Sequence, residues 1–316
     1  MPRIRTRVTE ILGVDLPIVQ APMGWIARSQ LASAVSNAGG MGIIETSSGE
    51  LDNVREEIRK MRDLTDKPFG VNIAQLFVRD PKIVDFVVDQ GVRFVTTSAG
   101  NPTRYTAQLK SAGLTVFHVV PTLRAALKAI DAGVDGLVVE GGEGGGFKNP
   151  REVASMVLLP LVASRVEVPI IAAGGIVDGR SMAAAFALGA EGVQLGTRMV
   201  SAAESPVHEN FKRFICDAAE TDTILLNRDA TPALRALRTQ HSEGIDRDRK
   251  NAMAELRNVL DLYFGGDMEA SIALSGQVAG RIDSVRPVAE ILQSMFDEFI
   301  EAADALSRTA ATSGDP

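Results

Sequence analysis

Gly174-Gly175 and Gly196-Thr197 each follow a short apolar run, at 169–173 and 192–195. Glycine there lets the backbone approach a ligand closely, and a helix start adds N–H donors. Thr197 adds a hydroxyl, and together these groups suit a phosphate. A third segment, Glu140-Gly141-Gly142-Glu143-Gly144-Gly145-Gly146-Phe147-Lys148, carries five glycines between Glu140 and Phe147. Ordering so many glycines costs entropy, which a flat, closely packed ligand would offset. The plainer readings are tight turns for the first two segments and a loose surface loop for the third. Acid–base and metal-binding groups are scarce. The histidines are His118, His208 and His241, and the one cysteine is Cys216. No His/Cys cluster has metal spacing, so no metal is expected, and neither a nucleophile elbow nor a Walker motif occurs. His118 lies in an apolar run and is a candidate proton donor, against the plainer reading of a satisfied core histidine. A site poor in acids, bases and metals but rich in backbone donors implies that a bound cofactor supplies the chemistry.

The elements that position these loops repeat. Eight short β-branched runs, at 17–21, 41–45, 69–73, 94–97, 114–119, 136–140, 169–173 and 192–195, alternate with amphipathic segments. Four to six apolar residues without clear alternation suit strands covered on both faces. Asn37-Ala38-Gly39, Ser111-Ala112-Gly113 and Asp131-Ala132-Gly133 read as helix stops directly before a run. The pattern predicts an α/β fold, a (β/α)8 TIM barrel, with an open doubly wound sheet as the rival. No G-x-G-x-x-G follows the first run, which disfavours the rival. In a barrel, reactive groups sit at the carboxyl ends of the strands, where all the glycine segments above fall. Residues 1–204 are read as the barrel core and 205–275 as a helical lid or insert. Residues 276–308 are read as a turn and helix packing back on the barrel, and 309–316 as a disordered tail.

The chain has 316 residues, 33 Lys and Arg against 40 Asp and Glu, a net charge of −7, and 45% hydrophobic residues. That balance argues against general disorder and against a nucleic-acid partner, which needs a basic face. A single cysteine fits a reducing compartment, and the start lacks a signal-peptide run. With no run of 18 apolar residues, no membrane span is expected, and the reading is a cytoplasmic enzyme.

Taken together, APMGWIARSQLASAVSNAGGMGII, DKPFGVNI, FVTTSAGNP, VEGGEGGG, PIIAAGGIVDGR and ALGAEGVQLGTRMV resemble the nitronate monooxygenase (2-nitropropane dioxygenase) family. They also resemble its relative, the flavin-dependent enoyl-acyl carrier protein reductase II. ESPVHENFK, ALRALRTQ and SGQVAGRID extend the likeness over nearly the whole chain. The resemblance implies an FMN-binding barrel with a small C-terminal helical lid. Ala21, Met23 and Gly24 would pass along the flavin ring and Asn72 would lie near the ring or ribityl chain. Glu140, Gly144 and Gly145 would border them, and Gly174, Gly175, Gly196 and Thr197 would hold the phosphate. One position departs from the family pattern. Where the family places a histidine, presumed base or proton donor, this chain has Phe147, which transfers no proton and instead would line a substrate slot with Met23. Lys148 beside it would ordinarily be charged and exposed. TTSAGNP and the missing histidine favour NAD(P)H-dependent reduction of an activated C=C, with an enoyl thioester or related enone as substrate. Oxidation of alkyl nitronates with O2 is the alternative. The segment after 205 is a candidate lid, homodimer surface or both.

Overall fold

The computed structural model describes residues 3–47 and 51–311. Its strands are β1 Ile18–Gln20, β2 Gly42–Glu45, β3 Phe69–Ala74, β4 Phe94–Ser98, β5 Thr115–Val120, β6 Gly136–Glu140, β7 Gly146–Lys148, β8 Ile170–Ala173, β9 Gly192–Leu195, β10 Thr223–Leu226 and β11 Ala233–Leu237. All but β7, β10 and β11 form one parallel sheet, ordered β1-β9-β8-β6-β5-β4-β3-β2. A parallel bridge between Val19 and Met41 joins its two ends. There Gln20 N donates to Met41 O and Met41 N to Ile18 O, each at 2.9 Å. The eight predicted runs are therefore the eight staves of a (β/α)8 barrel. Gly113 and Gly133 stop their helices as expected, with φ of 81° and 84°.

Period-two alternation sorts the stave residues into two cores. Val19, Met41, Ile43, Phe94, Phe117, Val138, Ile171 and Ala173 fill the barrel interior. Ile18, Ile44, Val71, Ile73, Val95, Val116, Val120, Leu137, Val139, Val193 and Leu195 face the helices. The helix Arg7–Leu12 closes the amino-terminal end, adding Val8 and Leu12 to the interior cluster. The apolar fill stops short of the carboxyl ends. Continuing the same phase, Glu45, Asn72, Thr96, Glu140 and Gln194 form a polar layer there, and all but Glu140 are buried.

Residues 205–275 depart from the helical expectation. Helices Glu209–Cys216, Gln240–Arg247 and Val259–Tyr263 are present, but β10 and β11 pair antiparallel between them. β11 also pairs antiparallel with β7, which comes from the glycine-rich loop, with Leu234 opposite Phe147 and Ala233 opposite Lys148. Isolated two-stranded hairpins are marginal. The third strand, together with a cluster of Ile224, Leu226, Leu234, Ala236, Ile245, Ala252 and Ile272, stabilises this sheet.

The last helix runs Val288–Ala311, so 309–311 continue it rather than fraying; 312–316 lie outside the described residues. It packs on the helix Gly179–Ala187, where Phe186 and Phe299 meet edge to face at 5.0 Å. A Cβ at Gly179 would run into Met295 O and Phe299 N. Gly179→Ala is expected to destabilise the protein by about 1–3 kcal/mol through overpacking, read from the urea midpoint; an unchanged midpoint would refute this seating. Among the described residues no helix is long and apolar enough to cross a membrane.

Candidate functional site

At the carboxyl end of the barrel the glycine segments converge. Gly174 follows β8 with φ 84°, and a Cβ there would stand 2.9 Å from Gly141 O and 3.1 Å from Gly144 N. Gly174 is thus a glycine for two reasons: left-handed backbone and direct backbone packing. The strand-6 loop is anchored rather than loose. Gly141 N donates to Ala173 O at 2.9 Å and Gly142 N to Val153 O at 2.8 Å. Arg235, buried on β11, donates Nε to Gly142 O at 2.9 Å and Nη2 to Glu152 at 2.7 and 2.9 Å. Glu143 accepts from Ser155 N and Oγ at 2.9 and 2.8 Å.

The turn Ser275-Gly276 closes over the next loop. Gly276 N donates to Thr197 Oγ1 at 2.8 Å, and Gln277 N to Glu143 O at 2.9 Å. A Cβ at Gly145 would meet the Ser275–Gly276 backbone at 2.6–2.7 Å. Gly196 opens the short helix Thr197–Val200 and lies against Ala21, whose N–H donates to Leu195 O at 2.9 Å. So Gly144, Gly145, Gly174, Thr197 and the 275–276 turn form one cradle, with Gly175 beside Glu143 and Ser155.

Around the mouth, Asn72 donates Nδ2 to Thr96 Oγ1 at 2.9 Å. Glu45 accepts from Trp25 N at 3.2 Å and from Ser47 N and Oγ at 2.7 Å, and pairs with Arg28 at 3.4 Å. Glu45 thereby holds the segment containing Met23 and Gly24, and Gly24 faces Ser47 Oγ. Phe147 is half-buried, its ring 5.1 Å from that of Phe77. Phe77 and Thr46 also line a cavity of about 710 Å³ whose other walls are largely charged, with Asp52, Arg55, Arg79, Asp80 and Lys82.

Two expectations change. Lys148 is not exposed: its ammonium is ion-paired with Glu140 and its side chain is only 4% accessible. His118 is not at the mouth. It alternates with Val116 and Val120, which face the helices, while Phe117 points inward. Its Nδ1 shares a 2.7 Å hydrogen bond with Thr97 Oγ1. Burial lowers its pKa to about 4, leaving it neutral at pH 7. The candidate proton donor instead braces Thr97 from behind.

Sequence reasoning passed over Glu45, Gln194, Ser275 and Gly276. The runs of β2 and β9 are covered on both faces, so no alternation in the sequence singles out the first two. Gln194 Oε1 and Ser275 Oγ are buried with no hydrogen-bond partner in the protein. Orphaned polar atoms beside a glycine cradle fit a ligand with both polar and phosphate groups, so the residues present fit FMN. Among the described residues no group of three His, Cys, Asp or Glu is placed to hold a metal ion.

Comparison with known proteins finds relatives over most of the chain. The model of the nitronate monooxygenase family matches residues 5–83 and 74–298. The chain is 33% identical to a (3aS,4S,5R,7aS)-5-hydroxy-7a-methyl-1-oxo-octahydro-1H-indene-4-carboxyl-CoA dehydrogenase from Mycobacterium tuberculosis, over 93% of this chain and 95% of that one. A nitronate monooxygenase from Paraburkholderia phytofirmans is 32% identical, over 67% and 71% of the two chains. The structure of FabK from Thermotoga maritima superposes with a TM-score of 0.92 at 39% identity, covering 97% of this chain and 99% of that one.

Proposed function

The chain belongs to the nitronate monooxygenase family of oxidoreductases, and on that premise we propose that it reduces an activated C=C, in an enoyl thioester or related enone, using FMN and NAD(P)H. Bound FMN would carry hydride from the nicotinamide to the C=C. Gly174, Gly175, Gly196 and Thr197 would hold its phosphate, where the cradle brings backbone and a hydroxyl together. Ala21, Met23 and Gly24 would flank the ring, and Asn72, Glu140, Gly144 and Gly145 would border the ring and ribityl chain. Gln194 and Ser275 would supply the hydrogen bonds that the protein leaves open.

The observation that carries the reductase reading is the Phe77–Phe147 pair. Removing a proton from a nitroalkane needs a base within hydrogen-bond reach of the substrate. The position of the family histidine instead holds a phenyl ring packed on another, and His118 faces away. Two aromatic rings packed together suit an apolar acyl chain, since substrate sites are largely apolar with a few polar anchors. A relative named as a CoA-ester dehydrogenase supports a thioester.

Nitronate oxidation is the second reading, favoured by the matched family and by the Paraburkholderia relative; an already anionic nitronate needs no base. Anaerobic mixing separates the two. NAD(P)H is expected to bleach the bound flavin and an enoyl thioester to restore its colour. Bleaching by a nitronate but not by NAD(P)H would sink the reductase reading.

A further inference from the structure

The mouth holds a buried cation next to the position where the family histidine is replaced. Phe147 turns its ring toward the apolar cluster of the small sheet and toward Phe77. Lys148 is the next residue of β7, so its side chain leaves the opposite face of the strand. It reaches back to the barrel and pairs with Glu140 at the end of β6. Glu140 is in phase with the interior residue Val138, which places the pair at the top of the barrel interior. Gly144 covers it: a Cβ there would run into Lys148 Nζ and Glu140 Oε1. A Cβ on Gly174 would in turn stand 3.1 Å from Gly144 N, so the ammonium lies beside the phosphate-side cradle.

Desolvating the Lys148 ammonium costs free energy that the half-buried Glu140 carboxylate does not reliably return, and an apolar pair of similar volume is often as stable. The ion pair therefore calls for a job beyond stability. A fixed charge in a water-poor site acts strongly on charge that develops nearby, and it does so over several ångströms without direct contact.

We propose that Lys148, positioned by Glu140, is the positive charge that compensates the electron density FMN gains on reduction in this mouth. This assignment rests on the FMN reading above. Unlike a proton donor at position 147, it serves both the reductase and the nitronate reaction, because both pass electrons through the same ring.

The test is the midpoint potential of bound FMN, with FMN affinity measured alongside. Lys148→Met is expected to move the potential to more negative values and to weaken binding of sulfite, which adds to the ring as an anion, by about tenfold or more. Lys148→Arg should restore both values. Glu140→Gln, which leaves the cation unpaired, should move the potential to more positive values. A merely structural ion pair predicts a lower melting temperature in Lys148→Met with the potential unchanged in protein that retains flavin, and that result would overturn the assignment. Should Lys148→Met not fold, Glu140→Gln decides alone: an unchanged or more negative potential refutes the proposal. Wild-type protein that neither carries nor binds FMN defeats the FMN reading itself, and the assignment with it.

Discussion

Gly174→Val is expected to abolish FMN retention, lowering affinity by about 100-fold or more. Two costs combine. At φ 84° a β-branched residue sits in backbone that L side chains rarely adopt, at roughly 1–3 kcal/mol. Its Cβ would also press on Gly141 O at 2.9 Å and Gly144 N at 3.1 Å, forcing apart the backbone of the cradle. Overpacking of that kind adds about 1–3 kcal/mol, and about 2.7 kcal/mol is already a factor of 100 in affinity. Gly113→Val is the control. Its φ is 81° but a Cβ there meets nothing within 4 Å, and it lies at a helix stop away from the cradle. Gly113→Val should share the backbone strain and keep the flavin. Flavin content of the purified variants and titration with FMN read the result. Normal FMN affinity in Gly174→Val would remove the phosphate assignment.

Acidification is expected to cost the fold up to about 3 kcal/mol through His118 alone. Burial lowers the pKa of this histidine in the folded chain to about 4, against about 6.5 when unfolded; Lys128 lowers it further and the Gly100 hydrogen bond opposes them. The fold thus favours the neutral ring. Between these values the unfolded chain binds the extra proton, so stability rises with pH. The contribution is fully present above about pH 6.5 and is lost as pH falls toward 4. Urea unfolding between pH 7 and pH 4 should show that slope, and His118→Gln should flatten it while lowering stability at pH 7, because the bond to Thr97 is disturbed. A slope equal to wild type in His118→Gln would show that other groups carry it.

The staves were legible because each signal is local. Runs such as FGVNIA and GLVVE are short and apolar, and Ser111-Ala112-Gly113 stops a helix within three residues. The convergence of Gly174, Gly144 and Thr197 was legible for a related reason. A barrel places every strand's carboxyl end on one face, so naming the staves also names their neighbours.

The small sheet was not legible in this way. TILL and ALRAL are as long as several staves but lie among helices outside the strand–helix repeat, and their third strand, Gly146–Lys148, lies far away in sequence within a glycine loop. Pairings between distant segments leave no local period. The same pairing reverses the expectation for Lys148, since anchoring β7 carries the ammonium under Gly144 instead of into solvent. The direction of His118 depends on strand phase, which a run with both faces covered does not reveal. The sequence by itself determined the eight staves, the glycine-lined mouth and the absence of a histidine at position 147. Only the tertiary structure decided which charges are buried there. Burial is set by what packs around a side chain, and for Lys148, His118 and Gln194 those neighbours come from other elements of the fold.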